Sequence, residues 1–204
     1  MLRYWTAGES HGKTLLTLID GFPAGVEIDL EPINRELRRR QGGYGRGGRQ
    51  RIETDGVDIR TGVWKNVTLG SPIALEVANR DYKLERMEDL PRPRPGHGDL
   101  TGAIKYLGSI RGVLERASAR ETAVRVAAGA LAKQLLAKFE IDVFGFVLEI
   151  GEERIEPVAG TVEQLRTIRD QSAVYGLNLD RDQAIREYID QVGKEGDTLG
   201  GVVE

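Results

Sequence analysis

The sequence predicts an α+β protein in which an antiparallel sheet packs on helices. Three observations lead there. Short apolar runs near the start are separated by glycine turns, and a long helical pattern follows near the middle. Hydrophobic residues also make up 40% of the 204, enough for a sizeable core. The balance of charge narrows the function. A net charge of −3 and a pI near 5.6 argue against a general binder of nucleic acid or anionic membrane. The chain has no cysteine, which excludes disulfides, zinc thiolate sites and cysteine nucleophiles and fits a reducing cytosol. No apolar run approaches the roughly 20 residues that span a bilayer. A soluble cytoplasmic protein is expected, with no membrane partner, no signal peptide and no metal site.

The elements follow in order. Leu2 to Thr6 alternates like a strand, Gly8 to Gly12 makes a glycine-bracketed turn, and Leu15 to Ile19 forms a second strand. Two short strands so joined suggest antiparallel pairing. Asp29 can cap a helix entered through Pro32, with Ile33 and Leu37 on its apolar face and a break at Gly42-Gly43. Arg51 to Val63 reads as a hairpin turning at Asp55-Gly56, and Ser71 to Ala78 as a strand. Pro91 to Gly98 holds three prolines and cannot be regular structure. From Ala117 to about Phe139 runs the strongest helix pattern, with Ala123, Val126, Ala127, Ala130 and Leu131 on one face. Ile141 to Ile150 is a strand candidate. Thr161 with Gln164 and Asp180 with Gln183 have capping-box spacing, each opening a helix. Leu199 to Glu204 begins another strand. One α+β domain over 1–204, incomplete at its C-terminus, is the expected organisation.

Four motifs carry chemistry. Gly8-Glu9-Ser10-His11-Gly12 fits the pattern of a hydrolase nucleophile elbow, but that elbow needs a strand–turn–helix, and the residues after Gly12 read as a strand. Interest moves to His11. It and His97 are the only histidines, and each stands beside glycine, which leaves a face open to a ligand. Their ordinary titration range suits general acid work near pH 7. Between Arg35 and Arg51, Arg35, Arg38, Arg39, Arg40, Arg46, Arg49 and Arg51 face one acid, Glu36. Arg35, Arg38 and Arg39 suit a solvated helix face. Arg40, Arg46 and Arg49 flank a glycine run whose amides can approach an anion, while their guanidinium forks bind phosphate or carboxylate. An arginine/glycine-rich RNA-binding module is the rival reading of this segment. Arg92 and Arg94 sit beside His97 in the proline loop. Ser118 and Glu121 have capping-box spacing at the start of the long helix, and Arg116 and Arg120 beside them suggest a seat for phosphate. Together these predict an enzyme for a compact anion bearing phosphate and carboxylate, with two histidines as proton donors.

Three segments resemble a known family. Thr6-Ala7-Gly8-Glu9-Ser10-His11-Gly12 with Asp20 to Gly25, Arg39 to Gly47, and Arg92 to Asp99 with Leu114 to Thr122 are similar to chorismate synthase signatures, in order along the chain. The resemblance implies one half of a β-α-β sandwich of the chorismate synthase type and a cytoplasmic homotetramer. It further implies a carbon–oxygen lyase acting on phosphates, which converts 5-enolpyruvylshikimate 3-phosphate to chorismate by 1,4-anti elimination. Chorismate formation is the last common step of aromatic amino-acid biosynthesis. Reduced FMN is the implied cofactor. His11 and His97 match the catalytic histidines. Ser10, Arg40, Arg46, Arg49, Arg94 and Arg120 match the substrate site, and Arg116, Ala117 and Ser118 match the flavin-contacting stretch. Arg40 and Arg46 also match positions associated with nicotinamide nucleotide, which makes NADPH a candidate reductant. The family's third signature, with an arginine and an aspartate at the flavin, is not among these 204 residues, so weak flavin binding and little turnover are expected of them alone.

Overall fold

A turn closed by Gly8 pairs the first two strands. In the computed structural model, which describes residues 1–47 and 52–204, β1 (Arg3–Gly8) and β2 (Thr14–Asp20) are antiparallel, with Arg3 opposite Asp20 and Gly8 opposite Leu15. Gly8 has φ +105°, and a Cβ there would stand 2.5 Å from the Thr14 carbonyl oxygen, so glycine is required. The expected helix α1 (Leu30–Gln41) follows, with the Asp29 carboxylate accepting the Glu31 N–H at 2.9 Å and Ile33 and Leu37 fully buried. Then come β3 (Val57–Thr61), β4 (Val63–Trp64), β5 (Val67–Thr68) and β6 (Ile73–Ala78). The main sheet has the order β1-β2-β6-β3, antiparallel throughout. Leu15, Ile19, Ile73, Leu75 and Val77 point to one face, where Ile33 and Leu37 of α1 and the alanine stripe of a later helix fill the core. On the other face Trp5, Leu16 and Leu18 are exposed.

The hairpin falls elsewhere than expected. Asp55-Gly56 makes no turn, and the tight hairpin is β4–β5, turning at Lys65 and Asn66, both with positive φ. Consecutive left-handed residues are what a two-residue hairpin turn demands, and asparagine tolerates them. Asp55 is instead drawn inward by a guanidinium.

The long helix is likewise interrupted. Two helices precede it, α2 (Asp99–Tyr106) and α3 (Ile110–Arg116), and α4 begins only at Thr122 and runs to Ala137. Ser118 accepts the Arg120 N–H and opens a 3₁₀ turn, Ala119–Glu121, instead of forming the expected box with Glu121. Ala123, Ala127, Ala130 and Leu131 are buried as the periodicity requires. Gly102 lets α2 approach α3: a Cβ there would lie 2.3 Å from Val113 Cγ1. Alanine is the better helix former by about 1 kcal/mol, yet the overlap dominates. Gly102→Ala is expected to lower stability by about 1–2 kcal/mol, read as a lower urea midpoint; an unchanged or raised midpoint would contradict the close packing.

Contacts group the chain into two compact units: residues 1–38 with 51–140, and residues 39–50 with 141–204. The second unit has its own small sheet, β8-β7-β9, formed by β7 (Val147–Ile150), β8 (Glu153–Arg154) and β9 (Gly201–Val203). Its helices are α5 (Val162–Gln171) and α6 (Asp182–Glu195). Thr161 and Gln164 form the expected capping box on α5. The Asp180 box is absent, because Asn178 caps a 3₁₀ turn, Leu179–Arg181, and α6 starts after it. Ile155, Val174 and Ile185 form this unit's core, with Tyr44, Val147, Ile150 and Ile189 against it.

Candidate active site

The turn between β1 and β2 carries His11 and is held from three sides. Glu115, in the last turn of α3, has a fully buried side chain whose Oε2 lies 3.0 Å from the His11 backbone N–H and 2.7 Å from ring Nδ1. The Ser10 N–H donates to the Glu115 carbonyl at 2.9 Å. Just after β6, the Asn79 amide donates to the carbonyls of Gly12 and Glu9 at 2.8 and 3.2 Å. A carboxylate accepts only, so Nδ1 presents its hydrogen to Glu115 and the ring plane is fixed, the orienting arrangement of a general acid–base histidine. On the other side Nε2 stands 3.4 Å from Asp81. Arg111 Nη1 approaches the second Glu115 oxygen at 3.5 Å.

Two clefts, of about 740 and 870 Å³, open in the first unit, and His11 lines the smaller. The smaller, 740 Å³, is lined by His11 with Lys13, Arg80, Lys83 and Arg86, against the acids Glu9 and Glu85. Cations in excess in a concave site raise the local concentration of an anion. The larger, 870 Å³, is lined by Arg116, Ala117 and Ser118 with Lys105, Tyr106 and Arg125. Arg116 donates to the Thr6 carbonyl at 2.8 Å and to its hydroxyl at 2.9 Å. Glu121 closes this group, bonded by Thr6 and Arg125. Burial pushes its carboxyl up, but the bonds from Arg125 and Thr6, with the charges of Arg125 and Arg116, leave it below the usual range.

Arg120 is buried. Its guanidinium donates to Asp55 at 2.6 Å, to Asn79 at 2.8 Å and more weakly to the Ala78 carbonyl, with Glu53 at 3.7 Å. In this structure it organises the strand that holds the His11 turn, and Ser10, which is 3% exposed, sits inside that turn. Strand–turn–strand geometry around Ser10 departs from the nucleophile elbow, as the sequence indicated.

His97 and Arg94 stay in the proline loop, all of whose residues from 91 to 98 are exposed. His97 Nδ1 lies 2.8 Å from the Pro95 carbonyl. Arg94 grips Asp99, the first residue of α2, through Nε and Nη2 at 2.9 and 3.0 Å and through its backbone N–H at 3.0 Å. The Arg94 side chain, then its N–H, hold the Asp99 carboxyl down from 3.8 to about 2. Because the folded value is depressed, the stabilisation is complete above about pH 4 and disappears as pH falls through about 2. A carboxyl NMR titration should place the Asp99 midpoint near 2; a midpoint near 3.8 would contradict the bidentate grip.

Arg40 and Arg46 belong to the second unit. Arg40 stands in the last turn of α1, and Arg46 folds back so that its Nε donates to the Gly42 carbonyl at 2.9 Å. Arg49 lies outside the described residues. The sequence reading missed Glu115, Asp81 and Asn79. Glu115 was in view within a recognised segment, but its partner is 104 positions away, and nothing local marks such a bond. Among the described residues no group of three histidine, aspartate or glutamate side chains could hold a metal, and no helix is long and apolar enough to cross a membrane.

Comparison with known proteins places the chain in a family. The sequence model of the family described as chorismate synthase matches residues 2–204. Curated relatives include the chorismate synthases of Streptococcus thermophilus, 48% identical, and of Streptococcus mutans and Lactococcus lactis, each 46% identical; all of this chain aligns to 56% of each of them. A solved structure, "Crystal Structure of Chorismate Synthase", superposes with a TM-score of 0.80 at 40% identity, covering 99% of this chain and 56% of that one. The chain spans about half the length of the curated relatives it matches. None of these comparisons supports the RNA-binding alternative.

Proposed function

Because the chain belongs to the chorismate synthase family, we propose that the whole protein is a carbon–oxygen lyase acting on phosphates, which removes phosphate from 5-enolpyruvylshikimate 3-phosphate by 1,4-anti elimination to give chorismate. The observation that carries this reading is His11 fixed by the buried Glu115 at the edge of a cation-lined cleft. A leaving phosphate gathers negative charge, and preorganised cations and a donating imidazole stabilise charge where it develops. Lys13, Arg80 and Arg86 are placed to attract the anion, Glu115 keeps the His11 ring oriented, and the ring's Nε2 edge carries the proton to be delivered. His97 is the second proposed acid–base group, on an exposed loop that Arg94 and Asp99 fasten to α2. Ser10, Arg40, Arg46, Arg49, Arg94 and Arg120 remain the proposed substrate residues.

The residues present fit an anionic aromatic cofactor. The larger cleft combines Lys105, Arg116 and Arg125 with Tyr106 and with glycines that leave backbone open to a ligand, within the usual size of a cofactor site. Arg116, Ala117 and Ser118 would hold reduced FMN. Bound there, the flavin supplies transient electron donation without net oxidation. NADPH is the proposed reductant, at Arg40 and Arg46, and the protein is proposed to act as a cytoplasmic homotetramer. A specificity assay tests the substrate class: 5-enolpyruvylshikimate 3-phosphate should lose phosphate while unrelated phosphate monoesters should not. Comparable release from those monoesters without flavin would make it a phosphatase.

A further inference from the structure

The arginine–glycine segment 42–47 is docked, and the docking is specific. Four of its six residues are glycine, and ordering such backbone costs about 1–2 kcal/mol per residue. Within the second unit several contacts hold it. The Tyr44 N–H donates to the Ala173 carbonyl at 2.7 Å, and the Tyr44 hydroxyl lies 2.8 Å from both oxygens of Asp190 on α6. Arg186, one turn earlier on α6, places its guanidinium 4.7 Å from the Tyr44 ring centroid, a cation–π contact. Tyr175 donates to the Arg39 carbonyl at 2.6 Å, and its ring would stand 3.1 Å from a Cβ at Gly43. Gly43 and Gly45 both have positive φ, at +93° and +76°. The segment therefore has one built conformation, with Arg40 just before it and Arg46 within it. Core packing explains the Tyr44 ring, which lies against Ile155, Val174 and Ile185. It does not explain a hydroxyl held by an exposed carboxylate, since an exposed bond of this kind contributes little to global stability.

We propose that Tyr44 and Asp190 are positioning residues: a tyrosine–carboxylate latch that fixes the arginine–glycine segment so that Arg40 and Arg46 meet an anionic ligand already ordered. The bond to Asp190, more than burial, raises the Tyr44 phenol above its ordinary titration range. The ordering entropy is then met on folding rather than on binding, which is how preorganisation raises affinity. The inference rests on the reading that Arg40 and Arg46 contact the substrate or the nucleotide.

The test uses the whole protein with four single variants and one double variant. Tyr44→Phe should raise KM for 5-enolpyruvylshikimate 3-phosphate roughly threefold to tenfold with kcat nearly unchanged, the loss of one hydrogen bond expressed in binding. Asp190→Ala should match it, while Asp190→Asn, which keeps an acceptor oxygen, should stay near the parent protein. In an Arg46→Ala background Tyr44→Phe should add less, because one of the two arginines it positions is gone. Amide exchange of residues 42–47 should quicken in Tyr44→Phe while the urea midpoint holds. Unchanged exchange in Tyr44→Phe overturns the latch, whatever reaction the protein performs. Faster exchange with unchanged KM, or an equal KM rise with and without Arg46, overturns its role in presenting the arginine. Should the parent protein fail to form chorismate, the failure lies with the proposed reaction, and the exchange measurement still decides the latch.

Discussion

Replacing Arg120 with alanine is expected to cost roughly 3–5 kcal/mol of stability, the usual penalty for breaking a buried ion pair by removing one partner. The Arg120 and Asp55 side chains are 4% and 0% exposed, and Glu53 is 2% exposed, so neither carboxylate can turn to water when the guanidinium is removed. Asn79 loses its partner as well, and Asn79 holds the turn that carries His11. Arg120→Met with Asp55→Leu should cost less than Arg120→Ala alone, because apolar groups then replace both members of the buried pair. Chemical denaturation checks this. An Arg120→Ala protein with an unchanged denaturation midpoint would mean that other groups hold these carboxylates.

His11→Ala is expected to lower kcat by about 10²–10⁴, the typical contribution of a positioned general acid. Folding should suffer by only about 1 kcal/mol, the worth of an ordinary hydrogen bond, because Glu115 keeps its bond from the His11 backbone N–H and its approach by Arg111. Glu115→Gln separates position from chemistry. The amide oxygen can still accept the backbone bond, but the charge that orients Nδ1 is gone, so kcat should fall with His11 intact and KM should change less. Single-turnover kinetics would show this directly. An unchanged rate in both variants would remove the acid role from His11.

Local patterns in the sequence reached local structure. The glycine turn between β1 and β2, the Asp29 cap of α1 and the Thr161–Gln164 capping box all depend on residues within a few positions, and all three formed. Helix periodicity identified the buried stripe Ala123, Ala127 and Leu131 but started the helix too early. Ser118 can cap either an α-helix or a 3₁₀ turn, and the spacing does not distinguish them. Asp55-Gly56 carries a turn signature that an arginine 65 positions away overrides. The site follows the same division. His11 was legible because glycine brackets it. Glu115 and Asn79 were not, since an acid beside arginines or an asparagine after a strand reads equally well as a solvated residue. Their work appears only when α3 and β6 are brought to the β1–β2 turn.

In the proposed reaction phosphate loss and chorismate formation are one event. The most direct measurement counts both products in a single anaerobic reaction of the whole protein with 5-enolpyruvylshikimate 3-phosphate and reduced FMN. Equal amounts of chorismate and phosphate, and neither without the reduced flavin, are the predicted result. Phosphate released without chorismate, or at the same rate without flavin, would contradict it.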